Sequence, residues 1–138
     1  MRPYINGDED DILDDMRQEQ VNECLALGAT PRDALMHAIS LCEAQTLEIK
    51  GKVAGIFGVV DRGTHLEPWS VFNSRICESP ITFLRECKRW VSGYDRPMLN
   101  AVIASDEVAV RWLEWMGFNI DPPTAEGHHG ELFRWYWR

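Results

Sequence analysis

The residue types able to do chemistry are scattered along this chain. Cys24, Cys42, Cys77 and Cys87 stand 18, 35 and 10 positions apart, with no C-x-x-C pair among them. That spacing argues against a zinc or redox site and for small buried hydrophobes. His128 and His129 adjoin each other between Gly127 and Gly130. Adjacent imidazoles rarely ligate one metal without a third group nearby, so the pair marks a loop tip and no metal site is expected. Arg85, Lys88 and Arg89 fall on the outer side of a helical pattern, as an ordinary solvated face. Two groupings remain as contact surfaces for a protein partner. Asp10, Asp11, Asp14 and Asp15 make an acidic start, although the same acids suit the first turns of a helix. Trp112 and Trp115 lie three apart and cannot both join Leu113 and Met116 in a core, which leaves at least one for a surface or a helix boundary.

The chain that must position these groups has 138 residues, 45% hydrophobic and 26% charged, the size and mix of one compact domain over residues 1–138. Its net charge of −8 is uneven: residues 1–23 hold eight acids against Arg2 and Arg17, while all six tryptophans lie in the second half. Such a balance disfavours binding to nucleic acid by phosphate neutralisation. The longest apolar run, residues 53–60, is far shorter than the ~20 needed to cross a bilayer. The acidic start is unlike a secretory leader, so an unprocessed cytoplasmic protein is expected.

Asn6-Gly7-Asp8 starts a helix whose apolar positions run from Ile12 to Leu25 and which Gly28 stops. Thr30-Pro31 starts a second, with Leu35, Ala38, Ile39 and Cys42 on one face. The period then changes. Leu47 and Ile49 alternate with polar neighbours, Lys50-Gly51 turns the chain, and residues 53–60 form a buried strand. Residues 68–72 make a third strand. Ser79-Pro80 opens a third helix that ends at Gly93, residues 98–103 form a strand, and Ser105-Asp106-Glu107 opens a fourth helix that ends at Gly117. Phe118-Asn119-Ile120 and residues 132–137 supply the last strands. The order ααβββαβαββ predicts an α/β fold with one mixed sheet and helices on both faces.

Those elements, with the buried strand Val53-Ala54-Gly55-Ile56-Phe57-Gly58-Val59-Val60 and the run Asp106-x-x-Ala109-Val110-Arg111-Trp112-Leu113-Glu114-Trp115-Met116-Gly117-Phe118, resemble the GNAT (Gcn5-related N-acetyltransferase) superfamily. The late helix of that family commonly reads N-x-x-A and ends in G-F. Shorter blocks in the same order, from Ile56-Phe57-Gly58-Val59 to Gly127-x-x-Gly130-x-x-Phe133, are similar to GNAT-like proteins of small tailed phages, of the internal virion protein A type. The resemblance implies a phage-encoded protein of the host cytoplasm or the virion. It also implies a groove for acetyl-CoA or CoA, with cofactor contacts at Phe72, Asn73, Arg75, Ser79, Ile81, Thr82 and Asp106.

The sequence departs from the family's enzymes at two places. Their pyrophosphate loop, R/Q-x-x-G-x-G/A, is here Asn73-Ser74-Arg75-Ile76-Cys77-Glu78-Ser79-Pro80, without a glycine. Side chains restrict close backbone approach to phosphate, Glu78 adds the wrong charge and Pro80 removes a donor. The Tyr that protonates the leaving thiolate is replaced by Leu113. Glu67 and His65 are the nearest candidates for a base. The expectation is therefore a pseudoenzyme with a degenerate acetyl-CoA site, acting through protein contacts in virion assembly or host takeover. The alternatives are an active acyl-CoA-dependent N-acetyltransferase, and an inhibitor of a host factor working through its acidic first helix.

Overall fold

The computed structural model describes residues 1–138. Its elements are β1 (Arg2–Pro3), α1 (Asp8–Leu13), α2 (Gln18–Ala26), α3 (Pro31–Ser40), β2 (Gln45–Ile49), β3 (Lys52–Asp61), β4 (Leu66–Phe72), a 3-10 turn (Ser74–Glu78), α4 (Pro80–Ser92), β5 (Leu99–Ile103), α5 (Glu107–Trp115), β6 (Asn119–Ile120), β7 (Thr124–Ala125) and β8 (Leu132–Trp137). The predicted α/β class holds. The expected first helix, however, is two. Arg17 adopts extended backbone (φ −58, ψ 138), Met16 makes an isolated bridge to Asn73, and Arg17 reaches across to Asp106. Those tertiary ties outweigh the helical propensity of the segment.

The sheet is also not one continuous layer. Strands β1-β2-β3-β4 form an antiparallel half, and β5-β8-β6, with β7 also on β8, form another. Lys50 and Gly51, both at positive φ, turn β2 into β3. The halves touch where β4 and β5 begin, through a parallel bridge between Leu66 and Met98 and the bond from Leu66 N–H to the Pro97 carbonyl at 2.8 Å. One residue pair later the ladder ends. The residue of β4 next in line to face β5 is Pro68, which has no N–H to give. Its carbonyl instead accepts from Asn100 Nδ2 (2.7 Å) and Tyr136 Oη (3.1 Å).

α4 and α5 cover one face, where Phe57, Phe72, Phe83, Val91, Val110, Leu113, Phe118 and Tyr136 belong to the largest core cluster. α1 and α3 cover the other, around Ile12, Leu35 and Ile56. Asn73, fully buried, stitches the layers: its amide donates to the carbonyls of Val53 (3.0 Å) and Asp11 (3.3 Å), and its oxygen accepts from Arg75 N–H (3.0 Å). Replacing it by Ala orphans those buried groups. We expect Asn73→Ala to lose about 2–3 kcal/mol of stability, read as a lower urea midpoint at unchanged m.

Candidate functional site

Beyond Pro68, β4 and β5 splay apart and enclose a cleft of about 340 Å³. Phe72, Phe83, Leu84, Val102, Trp112, Leu113 and Tyr136 give it a mainly apolar lining. Trp112 stacks on Phe83 with ring centroids 5.7 Å apart, and its buried indole N–H has no hydrogen-bond partner. The polar wall comes from α2. Arg17, Gln20 and Glu23 recur every third residue, so one helical stripe faces the cleft.

Each does something different there. Arg17 makes a two-pronged ion pair with Asp106 (2.9 and 3.3 Å), whose other task is to cap α5 by accepting from Ala109 N–H at 3.1 Å. Asp106 is 2% exposed, so breaking this pair leaves a buried charge uncompensated. Gln20 lies along the free edge of β4, its Nε2 donating to the Ser70 carbonyl (3.1 Å) and its Oε1 accepting from Phe72 N–H (3.2 Å). Glu23 is held near neutrality. Burial, reinforced by the negative charge of Asp106 and only partly offset by the Ile103 backbone N–H and by Arg17, pushes its carboxyl up to about 7. A carboxylate in a cleft with such a value suits proton transfer at ordinary pH.

The residues singled out from the sequence fall in different places. Phe72 and Asp106 line the cleft. Asn73 is engaged in the interior, Ser79 precedes α4 without a side-chain cap, and Ile81 and Thr82 are exposed on the first turn of α4. Arg75 stands in the 3-10 turn. Glu67 and His65 do not reach the cleft, because Glu67 projects from the opposite face of β4 and is held by Arg62 (3.1 and 3.2 Å), and His65 hydrogen-bonds Thr64. Trp112 is a wall of the cleft rather than an outer contact surface. Trp115 is the exposed one, with Lys88 Nζ 4.6 Å from its ring centre. Of the acids, Asp10 pairs with Arg32 and Asp15 accepts from Ser74, while Asp10, Asp11, Asp14 and Asp15 are all exposed. No group of three or more metal-ligating side chains converges, and no helix is long and apolar enough to cross a membrane. Glu23 and Gln20 are not among the residues that the sequence singles out. The signal was the three-residue spacing shared with Arg17.

Solved structures place this architecture. A ribosomal-protein-alanine N-acetyltransferase from Brucella melitensis superposes with a TM-score of 0.70 at 13% identity, over 99% of this chain and 97% of that one. The fold is that of the GNAT acetyltransferases. A GNAT superfamily phosphinothricin acetyltransferase from Sinorhizobium meliloti, in complex with AcCoA, gives 0.62 at 14% identity over 99% and 85%. A GNAT-family acetyltransferase from Streptococcus pneumoniae gives 0.56 at 18% over 79% and 74%. No protein-family sequence model and no curated protein matches the chain.

The GNAT fold directs attention to a coenzyme A thioester, and the residues fit it unevenly. The apolar cleft and the orphaned Trp112 N–H suit a slender arm bearing amide or carbonyl acceptors. The segment after β4 does not suit a backbone-bound pyrophosphate, because Asn73 and the 3-10 turn close it on itself and Pro80 takes the first helical position. The raised value of Glu23 also bears on stability. A carboxyl that binds its proton more tightly when folded favours the fold below its unfolded value near 4.3, and that favour is lost as pH rises through about 7. Glu23→Gln is therefore expected to raise the melting temperature by several degrees at pH 8 and to change it little at pH 4, measured by calorimetry at both pH values.

Proposed function

We propose that this protein transfers an acyl group from a coenzyme A thioester to an amine. The observation that carries the reading is the cleft between the splayed β4 and β5, with Glu23 on one wall and an apolar lining on the others. In this reading the thioester arm would lie along the gap, against the apolar side chains of α4 and α5. Its phosphorylated end would be held past Leu84 by side chains rather than by backbone, at the groove that Arg85, Lys88 and Arg89 share with Trp115.

Glu23, when ionised, takes a proton from the incoming ammonium and leaves a neutral amine. The amine nitrogen forms the new amide bond as the carbon–sulfur bond breaks, the second proton that the nitrogen loses passes to solvent, and solvent water returns one proton to the thiolate, because Leu113 has none to give. Acid catalysis is typically worth ~10²–10⁴-fold, so slow turnover follows from that substitution.

A second reading has its own observations. Leu113, the self-closed segment after β4 and the exposed Asp10, Asp11 and Asp14 also suit a protein that works by contact alone. The sequence resemblance would make that a phage protein acting in virion assembly, or on a host factor through its acidic helix. Titration with acetyl-CoA, followed by an acetylation assay over a panel of primary amines, separates the two. We expect micromolar binding, a rate that climbs with pH to a plateau above about 7, and a loss of roughly 10²-fold or more in Glu23→Gln. Absence of both binding and transfer would leave the contact reading. In that case Asp10, Asp11, Asp14 and Asp15 changed to Lys should abolish partner capture while leaving the fold intact.

A further inference from the structure

We propose that Gln20 is a self-inhibitory latch, its carboxamide occupying the edge of β4 that an amide-bearing ligand must use. The inference rests on reading the cleft as a thioester site and concerns how that site is controlled. On the splayed stretch of β4, Ser70 and Phe72 turn their backbone groups towards the gap rather than towards β3. Unpaired, they would be a free sheet edge. Gln20 satisfies both, since a primary amide presents a donor and an acceptor side by side, as a peptide unit or an extended amide ligand does. The Ser70 carbonyl has two lone pairs and can accept twice. The Phe72 N–H can be given only once. Any ligand pairing with β4 through Phe72 therefore competes directly with Gln20.

The latch opens with Arg17 and Glu23 still in place, because only the Gln20 side chain must let go of β4, and the helix that carries it is lightly anchored. α2 has nine residues and is cut from α1 by the extended Arg17 and from α3 by Gly28 at φ 80. Ala26 is its one fully buried residue, while Leu25 and Leu27 are 55% and 56% exposed. Its ties include the Arg17–Asp106 pair, the two Gln20 bonds, packing against α3 and β5, the small cluster of Ala26 with Ile103 and Phe133, and the bond from His128 N–H to the Ala26 carbonyl. Segments with so few buried contacts open at low cost relative to the core. With the Gln20 side chain held on β4 by its two bonds, apparent affinity falls in proportion to the fraction of molecules in which it has let go.

The test compares the wild type with Gln20→Ala, using Asn22→Ala on the exposed side of the same helix as a control, and CoA itself as the probe. Calorimetry gives affinities, and hydrogen exchange follows the Phe72 amide and residues 18–26. We expect CoA to bind Gln20→Ala about tenfold more tightly than wild type or Asn22→Ala. The free Gln20→Ala protein should exchange its Phe72 amide faster. In wild type, CoA should protect Phe72 while speeding exchange in residues 18–26. Wild-type binding with Gln20→Ala no tighter, or with residues 18–26 no more mobile, overturns the latch and leaves the thioester reading standing. Failure of both proteins to bind CoA overturns the reading and the latch together.

Discussion

Everything at the site depends on β4 and β5 ceasing to pair at Pro68. Two neighbouring strands that begin in register would ordinarily continue their ladder, because each further bond satisfies a donor and an acceptor otherwise left to solvent. A proline at the first position that must donate removes that incentive, and Asn100 and Tyr136 satisfy its carbonyl with side chains instead. The strands are then free to follow the twist of their own half-sheets. The gap becomes a cleft because large side chains on α4 and α5 floor it without filling it.

The second constraint is electrostatic. Asp106 is required locally as the cap of α5, and capping buries its charge. Arg17 supplies the counter-charge from 89 residues earlier in the chain, and doing so pulls the segment between α1 and α2 out of helical geometry. Glu23, brought to the same wall by the helical repeat, arrives in a field already occupied by one carboxylate. Its reluctance to ionise comes first from burial and then from the carboxylate that caps α5.

Local signals carried most of the architecture: the Lys50-Gly51 turn, the Thr30-Pro31 and Ser79-Pro80 helix starts, and the Asp106 cap all lie where sequence spacing puts them. The features that escaped are those decided by partners distant in sequence. The break at Met16 and Arg17 depends on Asn73 and Asp106, and the short β1 exists because Arg2 and Pro3 find β2. At the site the same division applies. Phe72 and Asp106, which the GNAT resemblance singles out, stand at element ends and line the cleft. Glu67 was misplaced because strand alternation, combined with the β3 register, turns it to the face where Arg62 waits. Glu23 was hidden by composition, since an acid among acids gives no hint that its helix faces inward.

The distribution of the core has a mechanical consequence. The largest cluster draws side chains from both half-sheets and from α4 and α5, so it clamps the halves together on one side of the sheet. On the opposite side, the cluster beside α2 contains only three fully buried residues. The cleft therefore has one stiff wall and one compliant wall. A force that widens it would be resisted like the bending of a hinge with its pin on the α4–α5 side, and the strain would concentrate in α2 while the aromatic floor kept its shape.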